Sequence, residues 1–109
     1  MTDSARGGPN ADQIEYWNQV SGSKWVNLQE VLDAQIGPLG LAAMDRARIQ
    51  PGEAVLDVGC GCGDSSLELS KRVGAEGSVS GFDISAVMLA RACERAQACG
   101  ASNLNFVAT

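Results

Sequence analysis

Apolar positions change their rhythm near residue 54: upstream they recur at helical intervals, and downstream short apolar runs alternate with helical stretches. Residues 1–10, with Gly7-Gly8-Pro9-Asn10 and few apolar groups, are expected to be disordered. A short helix starts near Asp12 with Ile14, Tyr16 and Trp17, and Ser21-Gly22-Ser23 is expected to interrupt it. From Lys24 to Ile36, the spacing of Trp25, Leu28, Val31, Leu32 and Ile36 predicts a helix with one apolar face. Gly37-Pro38 should break the pattern before Leu39–Ala47 resumes it, with Leu41 and Met44 facing inward. Pro51-Gly52 turns the chain into a strand, Ala54–Val58, apolar on both faces as in a central parallel strand covered by helices. Next come a helix from Asp64 to Val73 stopped by Gly74, and a strand from Ser78 to Asp83. Ser85 then caps a helix that carries Met88, Leu89, Ala92 and Ala96 and ends at Gly100, and Asn103–Val107 is a third strand.

This β-α-β-α-β order is half of a doubly wound α/β fold, with about three parallel strands. Three segments are expected: 1–10 disordered, 11–50 a helical cap or lid, and 51–109 the cofactor-binding half of a domain, cut off after its third strand. At 109 residues and 45% hydrophobic the chain suits one domain. A net charge of -5 without a cluster of lysine or arginine speaks against nucleic acid as a direct partner. No apolar run is long enough for stable membrane insertion, and the polar N-terminus has no signal core, so a cytoplasmic protein is expected. Cys60, Cys62, Cys93 and Cys99 lack metal-site spacing and the chain has no His, so no metal is expected and the thiols are read as small buried groups.

The chemistry concentrates in Val55-Leu56-Asp57-Val58-Gly59-Cys60-Gly61-Cys62-Gly63-Asp64, a strand running into a loop with alternate glycines and then a helix. Glycines at 59, 61 and 63 let the backbone turn sharply and let a ligand touch the main chain. A helix start after such a loop ordinarily attracts a pyrophosphate. Here Asp64 at the expected cap and Asp57 at the strand end would repel one, and the third glycine comes too early for the dinucleotide fingerprint. S-adenosylmethionine, with an ammonium and a sulfonium in place of phosphates, suits these carboxylates. Asp83 ends the second strand, twenty residues after Gly63, where a carboxylate can accept both hydroxyl hydrogens of a ribose. Ile84 then offers an apolar surface to adenine.

The stretches VLDVGCGCGDSS and VSGFDISAVMLARA resemble the Rossmann-like S-adenosylmethionine-dependent methyltransferases, especially the bacterial group related to quinone-biosynthesis enzymes. The upstream Tyr16-Trp17-Asn18, Lys24-Trp25-Val26 and Pro51-Gly52-Glu53 look like the same group's entry region, on less specific motifs. The resemblance implies that Asp57, Gly59, Gly61 and Gly63 line the methionine part of the cofactor, Asp83 holds the ribose and Ile84 packs on adenine. Cys62 departs from it, since many relatives carry Thr or Ser there. The resemblance further implies seven strands in the whole domain, so the chain is expected to be an N-terminal fragment, inactive alone, with the first strand's outer edge bare and the isolated piece marginally stable or oligomeric.

The reaction implied is methyl transfer to a small-molecule acceptor, with no catalytic base identifiable among these residues. Tyr16, Trp17 and Trp25 either pack the helical cap or form a substrate wall, packing being the commoner use of such aromatics. Asp64 either caps its helix or serves the methionine end, and Met88 is read as core. Two other classes stay open: an NAD(P)-binding oxidoreductase of the same topology, which Asp64 argues against, and a non-catalytic, truncated cofactor-binding module.

Overall fold

A computed structural model of the chain describes residues 8–109. The disorder expected over 1–10 therefore lies, for residues 1–7, outside the described residues. Gly8–Asn10 form a bend and turn, with the Gly8 carbonyl accepting from the Ala11 amide at 3.1 Å.

Three parallel strands form the body: β1 (Ala54–Val58), β2 (Ser78–Asp83) and β3 (Leu104–Ala108), in the order β1-β2-β3. Val55 pairs with Val79 and Asp57 with Gly81; Val79 pairs with Leu104 and Gly81 with Phe106. Because side chains alternate across a strand, these residues share one face of the sheet. Helix α4 (Asp64–Val73) joins β1 to β2, and helix α5 (Ala86–Cys99) joins β2 to β3. Leu69 and Val73 of α4 close over Val79, with Met44 from the upstream helix and Val55, Ile49 and Leu104 around them. Val73 and Val79 have almost no exposed surface. The helix ends follow the expected chemistry. Ser85 caps α5 by accepting from the Met88 amide, and Gly74 and Gly100 close α4 and α5 with positive φ.

The opposite face carries Leu56 and Val58, which are 69% and 81% exposed. The expectation that β1 is buried on both faces is thus corrected for the described residues. Here β1 is an edge strand, and α4 and the core residues lie on the Val55 face alone. The third strand also begins one residue later than expected, at Leu104, although the Asn103 carbonyl still accepts from the Val79 amide at 2.9 Å while its side chain is bound at the end of α4. Its amide donates to the carbonyls of Ser70 and Gly74 at 3.0 and 2.8 Å.

The N-terminal segment is more continuously helical than expected. Helix α1 (Ala11–Glu15) runs into a π-helical turn (Tyr16–Val20), then α2 (Ser21–Asn27) and, after Leu28, α3 (Gln29–Ala47). Ser21-Gly22-Ser23 does not interrupt the helix; Ser21 and Gly22 are buried where the segment meets the body. Gly37-Pro38 does not break α3 either. Proline removes one amide and crowds the carbonyl four residues back. That carbonyl belongs to Ala34, which is exposed, so water can satisfy it. The apolar face expected on this helix is not a buried one: Leu28, Val31 and Ile36 are exposed, as is Leu41, and Met44 is the one apolar side chain of α3 in the core.

Candidate functional site

Parallel strands that end together leave a crevice at their carboxyl ends. In this chain, β1 and β2 deliver the glycine loop and the Asp83 loop there, and the N-terminal helices roof it. The result is a cavity of about 600 Å³. Gly59, Gly61, Asp83 and Ile84 line it, together with Cys60, Cys62 and Asp64. Trp17, Trp25, Ile36, Leu41 and Met44 supply an apolar wall from the helices.

The two loops are bonded to each other. The Phe82 carbonyl accepts from the amides of Gly59 and Cys60 at 2.7 and 3.1 Å. One Asp83 oxygen accepts from the Gly61 amide and the other from the Ser85 amide, both at 2.8 Å. A carboxylate has about four lone-pair positions. Each oxygen therefore keeps capacity for one more hydrogen bond, and Asp83 remains partly exposed at the wall. Gly59 has a φ of 74°, and a Cβ there would meet nothing within 4 Å, so the backbone is open to a ligand.

Asp57 and Gly63, expected beside the methionine part of a cofactor, do not line the cavity. Asp57 lies on the helix-covered face, where a single carboxylate oxygen accepts from the hydroxyls of Ser65 and Ser66, each at 2.6 Å. It ties the strand end to the first turn of α4. Gly63 serves close packing: with φ at 88°, a Cβ would come within 2.9 Å of Ala92 and 3.3 Å of Phe106. Asp64 is not the helix cap, since Gly63 holds that position and Asp64 is the first helical residue.

Arg95 was not picked out from the sequence. From α5 it donates to the Cys62 carbonyl at 2.9 Å and pairs with Asp33 of α3 at 3.3 Å and Asp64 at 3.5 Å. No local pattern announces it, because its partners stand 31 to 62 residues away. Asp33 also accepts from Gln29 at 2.7 Å, and Glu68 is paired with Arg72 at 3.1 Å. Three cavity carboxylates, Asp33, Asp64 and Glu68, are therefore already bound to basic partners.

The thiols are held protonated. Burial, with the Asp57 and Asp83 carboxylates adding to it, pushes Cys60 up to about 12. Burial also raises Cys62, helped by Asp33 and opposed by Arg95 and Arg91. Neither thiol is a nucleophile at neutral pH. Among the described residues, no group of three His, Cys, Asp or Glu side chains is placed to hold a metal. No helix there is long and apolar enough to cross a membrane. Of the aromatics, Trp17, Trp25 and Phe82 reach the cavity, the two tryptophan rings 6.3 Å apart, whereas Tyr16 stacks edge-on against Trp17 without lining it.

A glycine-floored crevice at the carboxyl ends of parallel strands, with an acid closing the second strand, defines a Rossmann-like domain of the nucleoside-binding kind. The chain belongs to the methyltransferase domain family, whose model matches residues 49–109. It is 52% identical over 48 residues to a 2-phytyl-1,4-naphtoquinone methyltransferase of Nostoc sp., covering 44% of this chain and 21% of that one. It is 44% identical over 64 residues to a demethylmenaquinone methyltransferase of Shouchella clausii, covering 59% and 27% respectively. Among solved structures, TrmN from Thermus thermophilus superposes with a TM-score of 0.62 at 32% identity, over 65% of this chain and 21% of that one. The matches thus span about a quarter of the curated relatives' length.

Proposed function

We propose that this chain is the cofactor-binding part of an S-adenosylmethionine-dependent methyltransferase acting on a small, apolar, ring-bearing acceptor of the quinone kind. One observation carries the cofactor assignment. Asp83 is locked by two backbone amides at the end of β2 yet keeps free lone pairs facing a cavity floored by Gly59 and Gly61. Asp83 would take the ribose hydroxyls, Ile84 the adenine face, and Gly59 and Gly61 the methionine part. Asp57 and Gly63 act from behind, the first by fixing the loop to α4 and the second by letting α5 approach. The site suits a cation-bearing ligand, since Asp33, Asp64 and Asp83 surround it and Arg95 offsets only part of their charge.

When bound, the cofactor supplies an electrophilic methyl group on a sulfonium, which an in-line nucleophile displaces as a thioether. The chain's contribution is alignment and exclusion of water, Trp17, Trp25, Ile36, Leu41 and Met44 forming a wall suited to an apolar ring. Asp33 and Glu68 are engaged with Arg95 and Arg72, so neither serves as a base in this arrangement. The curated relatives' names, both quinone methyltransferases, support the acceptor class. A net charge of -5 without a basic patch disfavours nucleic acid as acceptor, and four free cysteines suit the reducing cytoplasm. An NAD(P) enzyme is disfavoured by Asp64 in the first turn of α4, where a pyrophosphate would sit.

The test is transfer of a labelled methyl group from S-adenosylmethionine by the intact protein to a demethylated naphthoquinol, beside amine and RNA acceptors. Label on the quinol is expected. Label on RNA alone would overturn the acceptor class, and displacement of bound S-adenosylhomocysteine by NAD would overturn the cofactor.

A further inference from the structure

Asn18 has an unusual set of partners for a residue within a helical segment. It sits in the π-helical turn, where the Ser21 amide reaches back five residues to the Tyr16 carbonyl. Such widened turns are frequent at functional sites. The Asn18 amide nitrogen donates to the Ile14 carbonyl at 2.8 Å and across to the Ile84 carbonyl at 3.0 Å. Its oxygen accepts from the Ala86 amide at 2.7 Å. One side chain thus grips the backbone on both sides of Ser85.

Ser85 completes the contact from the other direction. Fully buried, its hydroxyl donates to the Trp17 carbonyl at 2.7 Å and accepts from the Met88 amide at 3.2 Å. Its own amide donates to Asp83. The fit is close, because a Cβ on Gly22 would lie 1.8 Å from the Trp17 carbonyl and 2.8 Å from the Ser85 hydroxyl. The segment Asp83-Ile84-Ser85 would otherwise be a short strand-to-helix connection, free to vary its backbone. Asn18 and Ser85 fix it to the turn that also carries Trp17 into the cavity.

We propose that Asn18 is a positioning residue for the adenosine end of the cofactor: by holding Ile84 and Ala86, it sets the Asp83 carboxylate and the Ile84 side chain, and so couples the N-terminal helices to ribose and adenine binding. This rests on the cofactor assignment above. Asn18 touches no ligand itself and is absent from the cavity wall. Its effect on affinity passes through the backbone it grips.

The experiment is calorimetric titration of the intact protein with S-adenosylhomocysteine and, separately, with adenosine, which carries only the end Asn18 positions. Wild type is compared with Asn18→Ala and Asn18→Asp at a temperature where circular dichroism shows each to be folded. Asn18→Ala should weaken both ligands by the same factor, about tenfold, equivalent to about 1.4 kcal/mol. Asn18→Asp keeps the bond from Ala86, loses those to Ile14 and Ile84 and sets a carboxylate oxygen against their carbonyls, so it too should weaken both ligands by a common factor; should Asn18→Ala not fold, this variant decides. Unchanged affinity in a folded variant would overturn the role of Asn18, as would a loss for S-adenosylhomocysteine that adenosine does not share. No binding of either ligand by wild type would overturn the cofactor assignment itself.

Discussion

The strand-and-helix body and the N-terminal helices are held by different physics. In the body, Val73 and Val79 are completely buried and each strand is paired along its length. The N-terminal helices leave Leu28, Val31, Ile36 and Leu39 exposed, and dock largely through directed polar bonds: Asn18 to Ile84 and Ala86, Ser85 to Trp17, Gln29 to Arg91, and Arg95 to Asp33. Burial is cooperative and tolerant of small shifts, whereas a hydrogen bond is lost when its partner moves by an ångström. A rigid floor is thereby joined to a roof whose attachment is sensitive to what lies between them. That suits a site that must admit a cofactor and an acceptor and then enclose them.

The largest effect that would sharpen this contrast is in the loop at the body's centre. Gly63→Val forces a β-branched residue to a φ of 88° and drives its Cβ against Ala92. Strain and overpacking together should cost roughly 2–5 kcal/mol in denaturant unfolding. A loss below that range would show that α5 can retreat from the loop.

Next, truncations of the two regions should diverge. Val73→Ala removes two methyl groups from a site with no exposure and should cost about 2 kcal/mol. Leu39→Ala, at a position 73% exposed, should change stability by less than about 0.5 kcal/mol. Equal losses would mean that the N-terminal helices bury their apolar side chains against something further.

A pH-dependent effect in the body follows from the Cys60 thiol. Its folded value, about 12, stands above the ordinary 9.0, so the folded state keeps a proton that the unfolded chain releases. This contribution is complete below pH 9 and is lost as pH rises from 9 towards 12. The slope in that window is at most about 1.4 kcal/mol per pH unit. Cys60→Ala should flatten it. In alkylation of the native protein, Cys93 and Cys99, which are exposed, should react before the buried Cys60 and Cys62. Fast reaction of Cys60 would show that the glycine loop opens.

The same contrast explains how far the sequence alone could lead. Elements of the body carry local signals: glycine at each helix end, Ser85 as a cap, and apolar strands between them. Their limits came out within a residue or so. The glycine loop and Asp83 were readable because their spacing mirrors the geometry of two adjacent parallel strands. Among the N-terminal helices the usual punctuation misled. Pro38 is tolerated because the carbonyl it frees sits on an exposed turn, and Gly22 is a point of contact with Ser85 and not a break. Arg95 has no sequence signal and Asn18 stands out only within Tyr16-Trp17-Asn18, since the partners that give each its role lie far along the chain and are brought near only by folding. The acid at position 57 has two serine hydroxyls on one carboxylate oxygen behind the loop, an arrangement that local spacing does not announce.

The central claim is that Asp83, braced by Gly61 and Ser85, is the anchor of a nucleoside cofactor. It is tested most directly by titrating S-adenosylhomocysteine into the intact protein and into Asp83→Asn, which keeps the side chain's shape while removing its charge. Wild type should bind in the micromolar range, and the variant should bind about 10- to 100-fold more weakly, as expected when hydrogen bonds to a charged acceptor are lost. Equal affinity in the two folded proteins would contradict the claim.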